Sequence, residues 1–335
     1  MKTPDFSKFI KISIEVIKKN KWLLIFGALA GSGGGLSFNS GSNISKYFTP
    51  QGQTEPDLIQ SIPEKTANVL GTYTSALQDW FYKIPASKWL LLVLLLSLLA
   101  AIGIITVVII QNWARGALIA GIDHASAGKN VNLASTSPYG FKYVKKLILL
   151  SLLLFLIVFS ITVIAPIIWV VIFLIIKNVT PLSILWIIIG ILALIAIFLM
   201  AFILTTITNA FAQRLIILKD LKVNEALQKA FVITRRTLLA SILTGVVNFA
   251  FRTIVGIALI ILLAILIGLP SYLVFTSLQS NPTLSVILGT FTAMAFLMFV
   301  VFSSIIGAAL NVFSYSNWNQ LFNEYFINEG GTENE

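Results

Sequence analysis

The sequence predicts an all-α polytopic membrane protein of six transmembrane helices, arranged as three repeats of an interfacial amphipathic helix followed by a transmembrane hairpin. Three observations predict it. Of the 335 residues, 57% are hydrophobic and 11% charged, less than half the roughly 25% charge of soluble domains. The apolar residues fall in unbroken runs long enough to cross a ~30 Å hydrocarbon core, which takes about 20 residues of helix. Lysine and arginine collect between alternate runs, as expected of residues that resist translocation.

Taken in order, the chain opens on an interfacial helix over residues 4–21, with Thr3-Pro4 as its start signal and Lys18-Lys19 near its end. Proline suits a first helical position because its missing N–H has no intrahelical partner there. The first span follows at 22–38, a short run, WLLIFGALAG, that gives way to glycine. The same run with its basic front could be read as a signal peptide ending near Ala28-Leu29-Ala30, but the amphipathic helix ahead of it argues for a span. A flexible outer loop covers 39–87, rich in Gly, Ser, Thr, Asn and Pro. Within it Val69, Leu70, Tyr73, Leu77, Trp80 and Phe81 recur at helical spacing. The remaining spans are 89–113, 147–176, 183–207, 238–269 and 284–313, and 314–335 is expected to be a cytoplasmic tail. Asn43-Ile44-Ser45 and Asn178-Val179-Thr180 match glycosylation acceptors, a triplet common by chance.

Seventeen Lys and Arg residues fall in the segments that this threading places inside and five in those it places outside, with Arg252 left in a span. That imbalance orients both termini to the cytoplasm. The net charge of +10 is therefore read as topology, and no nucleic-acid partner is expected.

The repeat rests on three segments that start a helix, continue amphipathically, reach a basic pair and enter the membrane. They begin at Thr3-Pro4, Ser137-Pro138 and Asn224-Glu225 and reach Lys18-Lys19, Lys145-Lys146 and Arg235-Arg236. At an offset of 90, Phe141, Lys145, Lys146, Leu149 and Ser151 meet Phe231, Arg235, Arg236, Leu239 and Ser241. The basic pairs are the expected contacts with anionic lipid headgroups, each charge contributing about 1 kcal/mol near the surface. Setting orientation alone would also explain them. Three spans have 30 to 32 residues, about 45 to 48 Å of helix, so they must tilt, kink or project. Pro166 marks a kink.

Chemistry-bearing residues are few. Without cysteine, disulfides, thiolate metal sites and cysteine nucleophiles are excluded. His124 has no second imidazole or thiol to complete a ligand set, so no metal and no cofactor is expected. No acidic residue lies inside a span, which argues against a proton relay. In the fifth span Thr237, Ser241, Thr244, Asn248 and Arg252 are spaced 4, 3, 4 and 4, one helical face. Asn112, Asn209 and Asn311 lie near the inner ends of three other spans and with Asn248 could line a polar vestibule. The stripe admits two readings: a site for a solute or headgroup with Arg252 as its anion partner, or interhelical hydrogen bonding. The second matches the usual role of polar residues between membrane helices, at about 0.6 kcal/mol per pair.

The stretches KKNKWLLIFG, FAQRLIILKDLKVNEALQKAFVITRRTLL and SNWNQLFNEYF, with the glycine-rich outer segment, resemble bacterial polytopic proteins related to the membrane domain of glycerophosphoryl diester phosphodiesterase. The resemblance implies a bacterial cytoplasmic membrane. In that family catalysis belongs to a separate soluble barrel, so no catalytic residue carries over and no enzyme is expected. The function expected is a lipid-interacting scaffold or accessory protein, with a protein partner as a further possibility. The alternative is a transporter or permease subunit with a polar site around Asn248 and Arg252. For an ATP-driven permease NEALQKAF lies in a suitable loop, but the glycine that follows the EA pair in such subunits is absent.

Overall fold

The computed structural model describes residues 4–31, 85–129, 131–176, 182–277 and 282–329. Every regular element among them is helical: α1 (Phe6–Lys19), α2 (Leu23–Gly31), α3 (Ala86–Ser126), α4 (Leu133–Ile176), α5 (Leu182–Leu218), α6 (Val223–Arg236), α7 (Leu238–Leu263), a π-helical turn (Ala264–Gly268), α8 (Leu269–Ser277) and α9 (Pro282–Glu329). Five helical stretches are long and apolar enough to cross a membrane: Lys88–Ser126, Leu133–Val171, Ile188–Leu218, Leu238–Ser277 and Thr283–Tyr325. The expected first span is not among them. Its described part, α2, has nine residues and rises only about 13.5 Å. Residues 32–38, most of the outer loop with its Val69–Phe81 pattern, both acceptor triplets in full and the end of the tail lie outside the described residues.

The chain divides into two compact units, 37–108 and the remainder. In the first, the described residues 85–108 form the start of α3, a run of exposed leucine, isoleucine and valine. Its hydroxyls fold back onto their own helix, Ser97 to Leu94 O and Thr106 to Ile102 O, which removes polar groups from an apolar exterior.

In the second unit local chemistry sets the helix ends. Asp5 caps α1, its carboxylate accepting from Lys8 N at 3.1 Å, so the helix starts just past the expected Thr3-Pro4. α4 starts a turn before Ser137-Pro138, where Asn132 and Ser135 exchange backbone-to-side-chain bonds of 2.7 and 3.1 Å, a reciprocal cap. It then runs unbroken through Lys145-Lys146 for 44 residues with Pro138 and Pro166 inside. The second amphipathic segment is thus the first turns of a span rather than a separate helix. α6 starts at Val223, placing Asn224-Glu225 within its first turn, and is parted from α7 only at Thr237 (φ −109°, ψ 18°). Between α7 and α8 the turn widens just before Pro270, which cannot donate and whose ring crowds the carbonyl four residues back. α9 is one helix of 48 residues, and the expected tail is helical through Glu329.

Burial is concentrated at the ends of these helices that carry the basic residues. One cluster gathers Phe9, Tyr143, Leu147, Leu150, Phe211, Leu215, Ala226, Ala230, Ile233 and Phe322. The other gathers Val16, Leu23, Phe26, Ala114, Leu118, Ile122 and Val312. Each amphipathic segment lies antiparallel along the end of a long helix. The start of α4 lies along α3, with Trp113 Nε1 donating to Ser137 O at 3.2 Å and Thr136 beside Gly121. α6 lies along α5, with the Thr208 and Thr234 hydroxyls 3.3 Å apart. α1 lies along α9, the last of the described helices, with Gln320 Nε2 donating to Phe9 O at 3.2 Å. Glycines permit the closest approaches. Gly116 and Gly140 face each other where α3 crosses α4, and a Cβ at Gly140 would collide with Trp113 O. A Cβ at Gly27 would lie 2.5 Å from Ala308 O, so α2 sits flush on α9.

Candidate functional site

The polar stripe of α7 meets α9 in two hydrogen-bonded clusters, one reaching α1 and the other α2. Asn317 of α9 is the hub of the first, 1% exposed. Its Nδ2 donates to Asn248 Oδ1 at 2.7 Å, and its Oδ1 accepts from the Ser13 hydroxyl at 2.7 Å. Gln320 Nε2 donates in turn to Ser13 Oγ at 3.2 Å. A turn further along, Arg252 Nη2 donates to Asn311 Oδ1 at 2.8 Å, and Asn311 Nδ2 donates to Gly27 O at 3.0 Å. Arg252 stays exposed and is bound to a neutral amide. Ser241 and Thr244 are fully buried: Ser241 Oγ is 3.3 Å from Thr237 Oγ1, and Thr244 donates to Ala240 O.

The three vestibule asparagines lie on three different helices. Asn311 belongs to the second cluster. Asn209 accepts from Gln213 of its own helix at 3.0 Å. Asn112 is buried on α3 at 3% exposure. Together the two clusters join α1, α2, α7 and α9.

Five buried or half-buried residues were not among those singled out by sequence reasoning. Ser13 interrupts the apolar face of α1 between Phe9 and Val16, a small polar residue on a buried face. Asn317 and Gln320, with Ser316, share one face of the expected tail at helical spacing, which is the signal that the tail packs. Arg214 is 1% exposed. Its two NH2 groups donate to Ala210 O at 2.6 Å and to Tyr315 O at 2.9 Å, tying α5 to α9 through carbonyls rather than a carboxylate. Its place inside the apolar run from Phe211 to Leu218 was the available hint.

The basic pairs differ in what holds them. Lys146 Nζ lies 2.7 Å and Lys142 Nζ 2.9 Å from opposite oxygens of Asp220, in the linker between α5 and α6. Asp220 has φ 52°, a left-handed conformation that aspartate tolerates. Lys19 is paired with Glu15 at 2.6 Å, Arg235 lies 5.4 Å over the Phe231 ring, and Lys18, Lys145 and Arg236 project from exposed positions. The hydrogen bonds from Lys146 and Lys142 hold the Asp220 carboxyl down to about 2, below its ordinary 3.8. A carboxyl whose value falls on folding stabilises the fold above the ordinary value and loses that contribution as pH falls through the folded value. The clamp is therefore expected to be intact down to about 3.8 and to open as pH approaches about 2. Thermal melts of Asp220→Asn should lie below wild type at neutral pH and converge with it at the acid end.

A second feature of this side is a cleft of about 490 Å³ between the C-terminal ends of α1 and α3, lined by Ile12, Glu15, Val16, Lys19, Asn20, Ala125, Ser126, Gly128 and Lys129. Among the described residues no group of three His, Cys, Asp or Glu side chains is placed to hold a metal ion.

Comparison of the chain with protein-family models, with curated proteins and with solved structures finds no match.

Proposed function

We propose that this chain is a non-enzymatic, lipid-interacting scaffold or accessory protein of a bacterial cytoplasmic membrane, related to the membrane-domain family that its sequence resembles. One observation carries the reading: the two residues of the fifth expected span that bond to other helices, Asn248 and Arg252, fasten α7 to Asn317 and Asn311 of α9, which are fixed in turn to α1 and α2. A permease site would need those groups to face a solute. A cysteine introduced as Asn248→Cys is accordingly expected to resist small polar thiol reagents from both sides of the membrane. Rapid labelling from the basic side would favour the permease reading.

In this reading the chain is three repeats in closed order, with both termini cytoplasmic. Aligning Lys19 with Lys146 and Arg236 gives offsets of 127 and 217 residues. Phe9, Ser13 and Val16 then meet Thr136, Gly140 and Tyr143, and Ala226, Ala230 and Ile233, all of them buried. A shared burial phase in three segments that all lie antiparallel along long helices supports descent from one unit, the first packing on the end of the last. Charge supports the same arrangement. α1 carries Lys8, Lys11, Glu15, Lys18 and Lys19 and runs beside Asn317 and Gln320. A charge at the centre of the bilayer costs at least about 2.5 kcal/mol, so these parts of α1 and α9 project from the hydrocarbon. At about 72 Å for 48 residues, α9 is long enough to cross and project.

The exposed cations Lys18, Lys145, Arg235 and Arg236 face anionic headgroups, while Lys146 is held by Asp220. In nanodiscs of mixed neutral and anionic lipid, the variant Lys145→Ala, Arg235→Ala, Arg236→Ala is expected to lose selectivity for the anionic lipid with its melting temperature unchanged. Selectivity equal to wild type would overturn the lipid reading.

A further inference from the structure

We infer that the cleft between α1 and the end of α3 binds a phosphate group, the phosphodiester of an anionic lipid headgroup being one source and soluble phosphate the other; this rests on the repeat and lipid readings above. The argument compares two joints. Under the 127-residue offset, Glu15 and Lys19 of α1 stand where Lys142 and Lys146 stand in α4. In α4 those two side chains meet the linker after α5, and the Asp220 carboxylate closes the joint by bridging both ammonium groups. In α1 the pair faces the segment after α3, which presents Lys129 in place of an acid. Glu15 turns along its own helix to Lys19, and a cleft of about 490 Å³ stays open between the two sides.

The lining defines the ligand. Lys19 and Lys129 supply two positive charges against the one negative charge of Glu15, so the cleft carries a net charge that favours an anion. The Ser126 hydroxyl adds a hydrogen-bonding group, and Asn20 lines the cleft with its Nδ2 donating to Val16 O at 3.2 Å. Gly128 turns the segment with φ 74°. Ile12, Val16 and Ala125 form an apolar wall suited to the glycerol and first methylenes of a lipid. An exogenous phosphate would occupy at this joint the place that Asp220 fills at the other. The exposed tryptophan Trp22 lies just beyond Asn20, the residue type that marks a membrane interface.

The test uses the full chain in nanodiscs of phosphatidylcholine with phosphatidylglycerol, and native mass spectrometry to count phosphatidylglycerol retained. Lys129→Ala is expected to weaken the tightest retained phosphatidylglycerol about fivefold, the effect of one surface charge. Its melting temperature should be unchanged, because Lys129 is exposed. Displacement of that lipid by inorganic phosphate in the wild type, and not in a Lys19→Ala, Lys129→Ala variant, would identify soluble phosphate as a competing source at the same site. Retention by Lys129→Ala equal to wild type, with no effect of phosphate, would overturn the site. If the Lys145, Arg235 and Arg236 variant still lost selectivity, the site would fail while the broader lipid reading stood. If neither variant lost it, both would fail.

Discussion

Replacing Gly140 with valine is expected to abolish stable folding. At this point α4 crosses α3 with backbone against backbone, and any Cβ collides with the Trp113 carbonyl oxygen. The side chain of Trp113 stands close on the same side, its Nε1 committed to Ser137 O. A clash with a flexible side chain relaxes, but a clash with a helix carbonyl forces the two axes apart. Overpacking ordinarily costs about 1–3 kcal/mol, and here separation would also weaken the packing of Tyr143 and Leu147 against the cluster that holds Phe211 and Ile233. We expect the upper end of that range or more, read as loss of monodisperse protein after detergent extraction. Gly103, with open space around its missing Cβ, is the matched control, and Gly103→Val should behave as wild type.

The second large effect is expected at Asn317. Asn317→Leu removes the acceptor of Ser13 and the donor to Asn248 together, leaving both partners buried. Each stranded polar group costs about 1–3 kcal/mol, well above the ~0.6 kcal/mol typical of a single interhelical bond in a membrane. The double variant Ser13→Ala, Asn317→Leu should regain part of the loss, because it no longer strands the Ser13 hydroxyl. Thermal melts of wild type, Ser13→Ala, Asn317→Leu and the double variant give the coupling directly. Additive losses would mean that the two residues do not share a bond.

Much of the fold can be read from the sequence, and the limits have physical causes. Long apolar runs specify helices, because within a single segment crossing a bilayer only a helix satisfies its own backbone polar groups, and a strand of a closed barrel is about half as long. Thus α3, α4, α5, α7 with α8, and α9 were all expected. The ends of helices were harder. Proline at Ser137-Pro138 looked like a start, but Asn132 and Ser135 form the better cap a turn earlier, and Pro138 is accommodated near the beginning of the helix. The segment after Phe313 looked like a tail because its polar residues lower its mean hydropathy. In the fold those residues, Ser316, Asn317, Asn319 and Gln320, are what a packed helix uses to bind its neighbours.

The stripe on α7 was legible as a face, since regular 3–4 spacing is a property of one helix. Its partners were not. Ser13 and Asn317 are 304 residues apart, and nothing in a single sequence pairs them. The vestibule was an inference from depth alone. Asn112, Asn209 and Asn311 recur near the same ends of their helices, yet depth does not fix azimuth: Asn311 turns toward Arg252, and Asn209 bonds along its own helix to Gln213. The role of the basic pairs was legible as charge but not as occupancy. Lys146 is drawn to Asp220 by a linker whose left-handed residue aims the carboxylate at it.

The most direct measurement concerns where α1 rests. The chain has no cysteine, so Ser13→Cys with Asn317→Cys introduces a single pair of thiols. Treatment of intact membranes with a short bifunctional thiol reagent should join the pair within one chain, detected after proteolysis between the two positions. The cross-link should be lost when Ser13→Cys is replaced by Ile14→Cys on the exposed face. A chain in which Cys at 13 remains uncross-linked and freely labelled would contradict the account. It would place α1 flat on the lipid surface, away from the last helix.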